Sequence, residues 1–154
     1  MQQTVEVGTA DFAVAPRGYT LTSQGIGSCV VVCFYDAGKK VGALCHVMLP
    51  KQPEGSQLNP LRFADTAITL VLEKLEQMGS DRRNLVAHVV GGASMFQNVG
   101  TFINHVGQQN SAAVQAILAA QGIPIRTLQV GGNKGRSVQL SVDSGVVTIL
   151  SNGQ

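Results

Sequence analysis

The chain has 154 residues, 44% of them hydrophobic and 13% charged, with a formal net charge of +2. This fits one folded domain over residues 1–154 with a substantial core, and it excludes a disordered chain. The basic doublets are Lys39-Lys40 and Arg82-Arg83, far short of the clustered face that a nucleic-acid binder needs, and no apolar run is long enough to insert in a membrane.

Thr4 to Val7 and Phe12 to Val14 read as short strands, and Tyr19 to Ser23 as a third. The first residues have neither the basic nor the apolar region of a signal peptide, so the expected compartment is the cytoplasm. There the three cysteines stay thiols. Cys29 to Tyr35 is an almost continuously apolar, β-branched run, the pattern of a strand buried on both faces. Asp36 to Lys40 is a turn, and Val41 to Leu49 is the partner strand of a hairpin.

A polar loop leads to Asn59, which caps a helix that has Pro60 at its first position and continues to Met78. Gly79 stops it. Leu85 to Val90 is a strand that runs into Gly91-Gly92-Ala93-Ser94-Met95-Phe96. Asn98 to Gly107 fits no element. A second helix spans about Gln108 to Gln121, with Val114, Ile117 and Leu118 inward. Ile123 to Val130 is a strand, Gly131 to Gly135 a turn, and Ser137 to Val142 with Val146 to Leu150 a closing hairpin. Helices and strands do not alternate strictly, which argues against a doubly wound parallel sheet. The expected fold is α+β, a layered α/β/β sandwich of mixed or antiparallel sheets with two main helices on one side.

Cys29 and His46 are the candidate chemistry. A thiol and an imidazole on adjoining strands are the minimum for a cysteine nucleophile with its own base. The glycines of Gly25-Ile26-Gly27-Ser28-Cys29 permit a sharp turn, and backbone N–H groups around Gly27 and Ser28 can face a developing oxyanion. The plainer alternatives are a small buried hydrophobe at Cys29 and a core or edge histidine at His46. Ser23 is a candidate to orient the imidazole, its plainer alternative being an exposed serine at a strand end.

A zinc site from Cys29, Cys33, Cys45 and His46 is disfavoured. Cys29 and Cys33 would lie roughly 13 Å apart along a strand, and Cys45 and His46 would point to opposite faces. The glycine stretches at 25–28 and 131–135 each precede a strand rather than a helix, so neither is a phosphate cradle, and no cofactor is expected. Met95 and Phe96 are candidates for the rim of a substrate or partner groove, or simply pack.

Gly25-Ile26-Gly27-Ser28-Cys29-Val30, the stretch from Gly42 to Pro50, Phe63 to Ala67, Gly91 to Phe96 and Gly131 to Arg136 occur in this order. Together they resemble the CheD family of chemoreceptor glutamine deamidases, over about Val5 to Leu150. The resemblance implies a fold similar to the catalytic domains of deamidating toxins, with Cys29 as nucleophile and His46 as base. It sets Ser23 where the family has threonine. His88 stands where lysine is usual, Gln109 where arginine is usual, and Asn98 to Asn104 also departs from the pattern. The implied partners are cytoplasmic helices of methyl-accepting chemotaxis receptors and a CheC-type phosphatase. The competing expectation is a non-catalytic regulator that binds either partner.

Overall fold

The computed structural model of the protein describes residues 3–94 and 101–151, the side chains of 101–104 excepted. In chain order these form β1 (Gln3–Glu6), β2 (Asp11–Ala15), β3 (Tyr19–Ile26), β4 (Val30–Asp36), β5 (Val41–Val47), α1 (Ala64–Gln77), β6 (Leu85–Gly91), α2 (Thr101–Ala120), β7 (Ile125–Val130), β8 (Arg136–Ser141) and β9 (Val147–Ser151).

Every residue of β4 and β5 is buried, so both strands need cover on both faces. Val30, Val32, Phe34, Ala43, Cys45 and Val47 pack in one core with Ile68, Val71 and Leu72 of α1 and Val114 and Leu118 of α2. The intervening Val31, Cys33, Tyr35 and Leu44 pack in a second core with Leu21, Ile26, Val138 and Leu140. The period of two along each strand thus divides the molecule into three layers: helices, a five-stranded sheet and a four-stranded sheet. The larger sheet has the order β2-β5-β4-β6-β7 and the smaller β1-β3-β8-β9. Both are mixed, with parallel pairs at β6-β7 and β1-β3. This is the α/β/β sandwich expected from the sequence.

Three elements depart from expectation. The first helix does not start at Pro60. Asn59 caps a separate 3-10 turn, Pro60–Arg62, by accepting from the Leu61 N–H. Phe63 then adopts extended geometry and bridges to Leu49, and α1 begins at Ala64. The second helix begins at Thr101, and Gly107 lies inside it. A poor helix former masks the periodicity there, but a Cβ at Gly107 would come within 2.4 Å of the Ala93 carbonyl oxygen. Close packing explains the glycine. Finally, β3 runs to Ile26, with a register shift between Ser23 and Ile26, so Ser23 is interior to a strand rather than exposed at its end.

Candidate active site

His46 sits near the end of β5, in register with Val31 of β4. It shares the face of Leu44, toward the smaller sheet, whereas Cys45 packs among the helices. The two side chains point to opposite faces, as the sequence suggests. Cys33 belongs to the inter-sheet core and Cys45 to the helix-side core.

Ser23 comes from β3 in the facing sheet and is fully buried. Its hydroxyl donates to the Val7 carbonyl at 2.7 Å, and its oxygen lies 2.7 Å from His46 Nδ1. A serine hydroxyl has one proton and a carbonyl only accepts. The serine proton is therefore committed to Val7, and His46 Nδ1–H donates to Ser23 Oγ. This tautomer leaves the lone pair on Nε2, which is buried and has no hydrogen-bond partner among the described residues. Burial pushes the His46 pKa down, and the nearby Val7 carbonyl opposes that shift.

Cys29 occupies the bend just before β4 and is partly exposed. Burial raises its thiol pKa, while its own backbone N–H lowers it. A raised thiol and a lowered imidazole both favour neutral forms near pH 7. The last β4-β5 pair at this end is Val30 with Val47. Cys29 immediately precedes Val30, outside the paired ladder, and so lies at the same end of the sheet as His46.

The bend is held from the β6 side. Ala93 N–H donates to Gly27 O at 2.9 Å, and Gly92 N–H to Cys29 O at 2.8 Å. Gly91 has φ +123°, and a Cβ there would lie 2.3 Å from Cys29 O and 2.7 Å from Ile26 Cγ2. Only glycine allows that backbone and that approach. The Gly91-Gly92-Ala93 segment is thus a shelf beneath Cys29. Met95 and Phe96 lie outside the described residues.

One polar residue escaped sequence reasoning. Asn110 of α2 is fully buried, and its Nδ2 donates to Ser28 O at 3.0 Å and Met48 O at 2.7 Å. Its signal was a polar residue four positions before Val114 on the inward stripe of a helix. His88 is half-buried, with Nδ1 2.8 Å from Thr127 Oγ1, and Gln109 is exposed.

A family profile described as CheD chemotactic sensory transduction matches residues 48–151. Three relatives align over 151 residues, 97% of this chain. The protein from Clostridium novyi (strain NT) is 42% identical with 93% of its own length covered, and that from Clostridium kluyveri is 41% identical with 93% covered. The protein from Desulforamulus reducens is 40% identical with 91% covered. The chain belongs to the CheD family. Each of the three relatives is named as a probable chemoreceptor glutamine deamidase CheD. The CheD profile match begins two residues after His46 and so does not include Ser23, Cys29 or His46. No helix among the described residues is long and apolar enough to cross a membrane.

Proposed function

We propose that this CheD family member deamidates glutamine side chains of methyl-accepting chemotaxis receptors to glutamate, with Cys29 as nucleophile, His46 as base and Ser23 as its orienting group. One observation carries the assignment of roles. His46 keeps a buried Nε2 with no partner among the described residues, while Ser23 fixes the other ring nitrogen.

In the resting site both groups are neutral. Nε2 takes the Cys29 proton as sulfur attacks the side-chain amide carbon. The amide oxygen becomes an oxyanion. Gly27 O is tied to Ala93 N–H and Ser28 O to Asn110 Nδ2. In a trans peptide the N–H points opposite to the C=O. The N–H groups of Ser28 and Cys29 are therefore turned away from those anchors, and they are the proposed oxyanion donors. The imidazolium returns its proton to the departing nitrogen, ammonia leaves and a thioester remains. Nε2 then takes a proton from water, hydroxide adds to the thioester, the carbon–sulfur bond breaks and sulfur regains the proton. The balance is glutamine plus water to glutamate plus ammonia.

The proposal includes a single catalytic domain over residues 1–154 acting in the cytoplasm, and a CheC-type phosphatase as a second partner. Family membership supports both, and co-purification tests the pairing. The activity itself is tested by incubating the protein with receptor fragments from the same genome. Deamidation appears as ammonia release with a mass gain of about one dalton at a mapped glutamine. Receptor fragments of unchanged mass would contradict it.

A further inference from the structure

We propose that Asn110 is a positioning residue that clamps the Cys29 bend to the His46 strand and fixes the peptide plane carrying the Cys29 N–H. The inference rests on the catalytic reading of Cys29 and His46 and adds a part to it.

The β4-β5 ladder ends at Val30 and Val47. Beyond that pair the ladder stops: Cys29 lies in a bend, and the Met48 N–H donates to Arg62 O rather than to β4. Asn110 joins the two segments. Its Nδ2 has two protons, and they go to Ser28 O at 3.0 Å and Met48 O at 2.7 Å. Only a group with two donors on one atom satisfies two facing carbonyls in this way. The opposite orientation of the amide would set its oxygen against both carbonyls, so the hydrogen-bond pattern fixes the assignment.

Asn110 is fully buried, and its Oδ1 has no partner among the described residues. An orphaned buried acceptor is unfavourable, and an apolar side chain would avoid it. Packing alone does not account for asparagine here; the paired donors do. The consequence for chemistry is local. Ser28 O belongs to the Ser28–Cys29 peptide, so holding that oxygen holds the Cys29 N–H at the opposite edge of the same plane. Met48 is two residues after His46, one past the end of β5. One amide therefore restrains the nucleophile, one oxyanion donor and the base relative to one another. Small displacements of such groups are costly in rate even when binding is intact.

The test uses Asn110→Asp, which keeps the volume and removes the donors, and Asn110→Ala. Circular dichroism and thermal melting report the fold. Deamidation of a receptor fragment reports kcat and KM, and iodoacetamide alkylation across pH reports Cys29. With the fold retained, kcat falls about 100-fold while KM stays within about threefold. The alkylation profile moves to higher pH, because the Cys29 N–H no longer faces its sulfur. Folded variants with kcat near that of the parent, or an unshifted alkylation profile, would overturn the inference. So would failure of both variants to fold, which would assign Asn110 to the core alone. Cys29→Ala separates the two readings: an active Cys29→Ala removes the catalytic assignment itself, whereas an inactive Cys29→Ala beside active Asn110 variants removes only the clamp.

Discussion

Ser23 and His46 belong to different sheets, yet their side chains meet at 2.7 Å in the layer between them. The contact commits Nδ1 and leaves Nε2 open, so the pairing of sheets selects the imidazole tautomer. Ser23→Ala removes the acceptor for Nδ1–H and the donor to Val7. The expected result is a fall in kcat of about 10- to 100-fold with little change in KM. A loss of stability of about 1–3 kcal/mol accompanies it, from buried groups left unpaired. Steady-state kinetics and denaturant unfolding check the two parts.

The pH dependence of turnover follows from the two shifts. Burial lowers the His46 pKa and raises that of Cys29. A lowered imidazole stays neutral further into acid, so the acid limb of kcat/KM falls below the ordinary histidine value of about 6.5. The alkaline limb reflects loss of the proton needed by the leaving ammonia, and it lies above the ordinary thiol value of about 8.5. A profile of initial rates from pH 5 to 10 shows a broad plateau between them. An acid limb above the ordinary histidine value would contradict the geometry.

The three thiols separate by reactivity. Burial pushes Cys45 up to about 12 and Cys33 higher still, and both are fully buried, whereas Cys29 is partly exposed. Thiolate is the reactive form. Native protein at pH 8 therefore takes up one equivalent of iodoacetamide, at Cys29, and loses activity in step. Denatured protein takes up three, the number of cysteines in the chain. Peptide mapping by mass spectrometry checks the site.

Gly91→Ala is the test of the shelf under the nucleophile. The new methyl would meet Cys29 O at 2.3 Å in a backbone with φ +123°. The bend must shift, and a loss of kcat of about 100-fold is expected from misplaced reacting groups. Strain and overpacking also destabilise, by about 1–3 kcal/mol. Thermal melting and kinetics on the same preparation separate the two effects.

Much of the fold was legible because the central strands are continuously apolar, the mark of a strand covered on both faces. The run from Cys29 to Tyr35 fits a strand covered on both faces with Val41 to Leu49 as its partner, and the strands formed, Val30–Asp36 and Val41–Val47, are fully buried. The stops at Gly79 and Gly122 have positive φ, a conformation that favours glycine. Other features depend on contacts between distant segments and leave no periodic trace. Ser23 reads as a strand end because glycine follows it, yet a register shift carries β3 onward and buries the hydroxyl against His46. The stretch up to Gly107 fits no element in the sequence, yet the lack of a side chain at Gly107 lets α2 approach Ala93. Asn110 left only a polar interruption in an apolar stripe; its two carbonyl partners lie 82 and 62 positions away.

The most direct measurement is ammonia release from a receptor fragment by Cys29→Ala beside the parent protein, with both shown to be folded. The account predicts that the variant loses at least about a thousandfold in rate, since the two remaining thiols, Cys33 and Cys45, are fully buried and out of reach of substrate. Turnover by Cys29→Ala within about threefold of the parent would contradict it.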